Sequence, residues 1–161
     1  MTQTERRIYL IEYLLSERGE KINIPTDEYD QKRLLRSLFN IRMPKNVADK
    51  FLQIQDEYLQ EENRRKGITN IADLEPVQEG IYLWQGDITT LKCGAIVNAA
   101  NSQMLGCFQP CHGCIDNAIP CSITHRHTTS SRVSAWYILS IKLPWKSTAK
   151  TTVTFFNIIG K

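Results

Sequence analysis

The run Gly80-Ile81-Tyr82-Leu83-Trp84-Gln85-Gly86-Asp87-Ile88-Thr89, followed by Ala95-Ile96-Val97-Asn98-Ala99-Ala100-Asn101, decides the fold class. Ile81 to Trp84 is a short apolar stretch set off by Gly80, which predicts a strand. Gly86-Asp87-Ile88-Thr89 reads as a turn, and Ala95-Ile96-Val97 as a second short, buried strand. Residues 98–106 are expected to be loop, and His112 to Ile119 to begin a helix with Ile115 and Ile119 on one face. Strand, loop, strand, loop, helix is the opening of an α/β layer fold. Ligands in such folds bind at loops beyond the C-terminal ends of the strands, where Asp87 and Asn101 both fall.

Upstream the period changes, and three amphipathic helices are predicted. Ile8, Ile11, Leu14 and Leu15 recur at helical spacing, with Gly19 as a stop. Thr26 or Asp27 can cap a second helix whose Leu34, Leu35, Leu38 and Phe39 share a face. Lys32, Arg33 and Arg36 on that helix are read as a solvated face, because acids surround them in sequence. Val47, Phe51, Ile54 and Tyr58 define a third helix ended by Gly67, with Asp56, Glu57, Glu61 and Glu62 toward its polar side. Residues 68–79 read as a linker.

The densest chemistry follows the second strand. Cys107, Cys111, His112 and Cys114 place three thiols and an imidazole within eight residues. Thiolates and neutral imidazoles are the ligands that a borderline-soft cation such as zinc prefers. Cys107, His112 and Cys114 would supply three ligands and leave a fourth position open, as at catalytic sites, with Cys111 a bystander. A rival set is Cys107, Cys111, Cys114 and Cys121 or His125, a closed knuckle-like site. Buried thiols packing as small hydrophobes, beside one satisfied histidine, are the third reading. The knuckle reading carries a nucleic-acid alternative, in which the basic tail meets phosphates and Trp136 or Trp145 stacks on bases.

The bulk composition bounds these readings. A chain of 161 residues is one domain by length and can bury a sizeable core. With 42% hydrophobic and 23% charged residues it reads as an ordinary globular protein. No apolar run reaches the length of a membrane span and no signal peptide is visible, so a cytoplasmic location is expected. Five cysteines, four of them between Cys107 and Cys121, favour metal or reduced thiols over a disulfide framework. Charge is split: residues 1–119 carry 14 basic and 17 acidic side chains, whereas residues 120–161 carry six basic ones and no acids. The same tail holds six Ser and seven Thr, a sharp change at Ile119/Pro120. Within it, Trp136 to Leu143 and Thr151 to Ile159 have strand-like patterns. No internal repeat, P-loop, dinucleotide fingerprint or serine-hydrolase elbow is found.

Leu83-Trp84-Gln85-Gly86-Asp87-Ile88-Thr89 with Ala95-Ile96-Val97-Asn98-Ala99-Ala100-Asn101 resembles the opening of a macrodomain, an ADP-ribose-binding α/β/α module. The run from Met104 through Gly106-Cys107-Phe108-Gln109-Pro110-Cys111-His112-Gly113-Cys114-Ile115-Asp116-Asn117 to Ile119 is similar to the zinc-containing branch of microbial protein-ADP-ribose hydrolases. Residues 34–42 and 51–59 resemble that branch's helical extension, so the likeness covers about residues 5–119. It implies a helical extension over residues 1–77, the first part of a macrodomain over 78–119, and a non-matching basic Ser/Thr-rich tail over 120–161.

The resemblance also implies roles. Asp87 would accept from the adenine amino group, with Ile88 lining that pocket; the plainer reading of Asp87 is a turn cap. Asn101 would hydrogen-bond the distal ribose and take part in catalysis; its plainer reading is a loop amide bonded to its own backbone. Cys107, His112 and Cys114 would hold Zn2+, and Asp116 and Asn117 would orient those ligands or simply start a helix. The implied reaction is hydrolysis of the bond from the distal ribose to an aspartate or glutamate of an ADP-ribosylated protein, releasing ADP-ribose. A non-catalytic ADP-ribose-binding module is the alternative. After Ile119 the resemblance stops. The glycine-rich loop that cradles the diphosphate in the family has no counterpart in residues 120–161, where Gly160 is the only glycine. The expectation is a truncated macrodomain whose hydrolase activity is impaired.

Overall fold

The computed structural model describes residues 1–43, 45–79, 81–92, 106–122 and 153–157, the last of these by backbone alone. The expected strand Ala95-Ile96-Val97, the residue Asn101, and His125, Trp136 and Trp145 lie outside the described residues.

The leader folds as its periodicity dictates. α1 spans Gln3–Arg18, α2 Glu28–Ile41 and α3 Asp49–Lys66. Thr2 and Glu5 form a reciprocal capping box at the start of α1, and Asp27 rather than Thr26 caps α2. Gly19 ends α1 at φ 67°, a left-handed geometry that costs glycine nothing. The apolar faces meet in one core: Leu10, Ile11, Leu14 and Leu15 from α1, Leu35, Leu38 and Phe39 from α2, and Phe51, Ile54, Tyr58 and Leu59 from α3. Cys121, far along the chain, packs against that same core.

Most charged groups enclosed by the bundle are paired, whereas the buried Gln55 amide has no partner among the described residues. Arg7 is 2% exposed, donates through Nε to Gln31 Oε1 at 2.9 Å, and pairs with Glu28. Burial pushes the nearby Tyr58 hydroxyl up to about 12, with Glu62 adding to the shift. At the other end, Arg42 meets Glu17 through Nε at 2.9 Å and Nη2 at 3.1 Å, and Lys45 joins the pair. Burial opposes the Glu17 charge, but the hydrogen bonds and charges of Arg42 and Lys45 outweigh it, so its carboxyl sits below the usual carboxylate range. A carboxylate with a lowered folded-state pKa stabilises fully above its unfolded value, and that stabilisation is lost as pH falls through the folded value. Glu17→Gln is therefore expected to cost about 1 kcal/mol near neutral pH and almost nothing in strong acid. Urea denaturation of both proteins at the two pH values checks this; an equal difference at both would remove the ion pair from the account.

The expected linker, residues 68–79, is structured. β1 (Thr69–Asn70) runs parallel to β4 (Leu91–Lys92), with Thr69 opposite Leu91. A short turn of 3-10 helix (Ile71–Asp73) leads to β2 (Pro76–Gln78), which pairs antiparallel with β3 (Ile81–Gln85). β3 is the strand expected from Ile81 to Trp84, one residue longer. Its other edge pairs antiparallel with β5 (Val153–Asn157), inside the strand-like stretch of the tail. A Cβ on Gly86 would run into the indole of Trp84, so this turn needs glycine for close approach. The class is thus mixed α/β: helices with one small parallel and one small antiparallel sheet. Among the described residues no helix is long and apolar enough to cross a membrane.

Candidate metal centre

The segment after Gly106 turns back on itself before entering α4 (Ile115–Ser122). Gly106 sits at φ 88° and Cys111 at φ 52°; the second is unusual for a residue with a side chain. The backbone N–H of His112 donates to Gln109 O at 3.2 Å, closing the turn. This geometry brings the three expected ligands together. One ligand atom each from Cys107, His112 and Cys114 lies within 4.8 Å of the others, and Cys107 Sγ is 3.6 Å from His112 Nδ1. Tetrahedral zinc at ordinary bond lengths requires about 3.6 Å between sulfur and nitrogen, and about 3.8 Å between two sulfurs. The donor set and spacing therefore fit a metal with one coordination position left open.

Burial pushes the Cys114 thiol above its ordinary value, and the neighbouring Cys107 adds to that. A cation among the sulfurs removes this penalty, because the thiolate is the ligating form. The rival ligands are engaged elsewhere. Cys111 Sγ lies 3.5 Å from Arg33 O, and Cys121 Sγ lies 2.8 Å from Asn40 Nδ2, with burial pushing its thiol up to about 12. Among the described residues the knuckle-like set is not assembled, and the four described cysteines form no disulfide.

Asn117, fully buried, donates through Nδ2 to Cys107 O at 3.2 Å and Gln109 O at 2.8 Å, so it orients the ligand loop. Asp116 is also buried, and its carbonyl accepts from Cys107 N at 3.3 Å. Arg36 corrects the solvated-face reading. Its Nη2 donates to His112 O at 3.0 Å and to Asn117 Oδ1 at 2.9 Å, while Nε is enclosed without a partner. Lys32 does face solvent, paired with Glu28 and Glu62, and Arg33 is exposed. Asn40, which sequence reasoning missed, belongs to the same cluster through Cys111 N at 3.0 Å. The signal for it was one polar residue, Asn40, beside Leu38 and Phe39 on an apolar helix face.

Asp87 stands apart from this loop. It caps a 3-10 turn (Ile88–Thr90): Oδ1 accepts from Thr89 N at 3.0 Å and Thr89 Oγ1 at 2.7 Å, and Oδ2 from Lys66 Nζ at 3.2 Å. Burial opposes its charge, but the Thr89 hydrogen bonds and Lys66 prevail, so its carboxyl lies below the ordinary range. Ile88 is buried where this turn packs on α3 and α4.

The described part of the chain is thus a helix-rich α/β structure with a Cys/His loop that could hold a metal ion. No family model matches the chain. It is 60% identical over 125 residues to a protein-ADP-ribose hydrolase of Treponema medium, covering 74% of this chain and 48% of that protein. It is 46% identical over 114 residues to a protein-ADP-ribose hydrolase of Staphylococcus aureus strain MRSA252, covering 69% and 42% respectively. A probable bifunctional ADP-ribose hydrolase/ADP-ribosyltransferase of Fusarium oxysporum f. sp. cubense is 45% identical over 97 residues, 16% of its length. The chain is thus homologous to protein-ADP-ribose hydrolases, and it spans less than half the length of the relatives it matches.

Proposed function

We propose that this chain acts in removing ADP-ribose from aspartate or glutamate side chains of modified proteins, with zinc held by Cys107, His112 and Cys114. One observation carries the reading: three soft ligands meet around an open position in a chain 60% identical to a protein-ADP-ribose hydrolase. From two thiolates and an imidazole, a zinc ion supplies Lewis-acid polarisation of a ribose oxygen more than water activation, because the thiolates cancel its charge.

The remaining roles belong to the chain's own groups. Asp87 is assigned to the adenine amino group, an acceptor for a donor, with Ile88 as the apolar wall. Its Oδ2 is the available face, since Oδ1 is committed to Thr89. Oδ2 accepts from Lys66 Nζ and has a second lone pair for this donor. Asn101 is assigned to the distal ribose, where it orients the bond that breaks. The accompanying organisation is a helical extension over residues 1–77, a partial macrodomain over 78–119 and a tail over 120–161.

The test uses the full chain, zinc-loaded, with a protein mono-ADP-ribosylated on acidic side chains. Zinc-dependent release of ADP-ribose is the expected result. Asp87→Asn keeps its Oδ1 acceptor for Thr89, and so keeps the turn, while weakening ADP-ribose binding about 10-fold through loss of a charge-assisted acceptor. Saturable ADP-ribose binding without release would replace the enzyme with a binding module. Absence of both would overturn the proposal.

A further inference from the structure

The backbone carbonyl of every candidate ligand is tied into one hydrogen-bonded network, and that network is anchored on the helical leader. Cys107 O accepts from Asn117 Nδ2 at 3.2 Å, and Cys114 O from Asn117 N at 3.2 Å. His112 O accepts from Arg36 Nη2 at 3.0 Å. The same Nη2 reaches Asn117 Oδ1 at 2.9 Å, which fixes which way the Asn117 amide points. Asn40 grips the loop from the next turn of α2. Its Oδ1 accepts from Cys111 N, and its Nδ2 donates to Asn117 O at 3.3 Å. The Cys111 backbone is in the left-handed region, a conformation that costs an ordinary residue about 1 kcal/mol and needs an outside restraint. Asn40 is that restraint.

We propose that Arg36 and Asn40 of α2 are positioning residues of the metal site, so that the helical extension is part of the metal-binding machinery. The inference rests on the reading of Cys107, His112 and Cys114 as metal ligands. Neither residue touches the ion. Arg36 sets the His112 backbone and the Asn117 amide, and Asn40 sets the turn between Cys107 and His112. A planar guanidinium can serve two acceptors in fixed directions; an ammonium cannot hold both with the same geometry. By linkage, the ion and the docked state of α2 must stabilise each other to the same degree.

The experiment measures zinc affinity of the full chain by chelator competition, with the cobalt(II) absorption spectrum as a reporter of ligand geometry. Arg36→Met and Asn40→Ala are expected to weaken zinc binding about 10- to 100-fold and to shift the cobalt bands, with helix content unchanged by circular dichroism. Arg36→Lys is expected to fall between Arg36→Met and the parent. It carries the test if Arg36→Met fails to fold. Zinc should also slow amide exchange in α2 of the parent, and less so in the variants. Unchanged zinc affinity and cobalt spectra in folded variants, beside a parent that binds one zinc, would overturn the positioning role and leave the metal site standing. A parent that binds no zinc would overturn the metal site itself, and this inference with it.

Discussion

Cys107→Ser is expected to abolish stoichiometric zinc binding, weakening it by more than about 100-fold, the upper end of what losing a mere supporting residue costs. The sulfur is one of three groups whose ligand atoms fall within 4.8 Å of one another, and among the described residues no fourth ligand is grouped with them. A serine hydroxyl stays protonated near neutral pH and is a poor match for a borderline-soft cation. Cys111→Ser is the matched control. Its sulfur lies against Arg33 O, so zinc content should be retained. Metal analysis after dialysis against a weak chelator separates the two variants. Zinc lost by both variants would replace the three-ligand site with the knuckle-like one, which needs Cys111 as well as Cys107; zinc kept by Cys107→Ser would overturn both.

Phe51→Ala is expected to destabilise the chain by about 3–5 kcal/mol, enough to unfold much of a marginally stable domain. Phe51 is fully buried at the centre of the three-helix core. Its ring stacks tilted against Tyr13 at 4.4 Å, and the Arg42 guanidinium lies 5.7 Å above it. Truncation leaves a cavity bounded by rigid helices, which closes only partly. It also removes the wall that positions Arg42 for Glu17. Denaturant unfolding measures the loss. A cost below about 1 kcal/mol would mean that α3 does not close the bundle. Adding zinc should recover part of the stability, because the ligand loop docks on α2 of the same bundle.

The parts legible in the sequence were those governed by local physics. Helical spacing from Ile8 to Leu15, from Leu34 to Phe39 and from Val47 to Tyr58 placed all three helices, and Gly19 and Gly67 marked two of their ends. The grouping of Cys107, His112 and Cys114 was also legible, since the three fall within eight residues; the hold of α2 on their loop was not. Arg36 was misread because its partners are 76 and 81 positions away, while Lys32 and Arg33 just before it do lie toward solvent. The strands within residues 68–79 escaped notice for another reason. Two- and three-residue strands have no readable alternation, and β1 is defined solely by its pairing with β4. Asp87 allowed two roles, and its capping of Thr89 is what local turn chemistry dictates.

The docking of the ligand loop on α2 has a consequence for the order in which the chain is assembled. Its contacts join residues 71 to 85 positions apart, whereas the pairs between helices of the leader span 21 to 59 positions. Emerging N-terminus first, a nascent chain completes the three helices before Cys107 is synthesised. The loop therefore folds onto a finished template, and its non-local closure is the late, slow step. A metal held by the proposed ligands would then be captured last, on a surface already set.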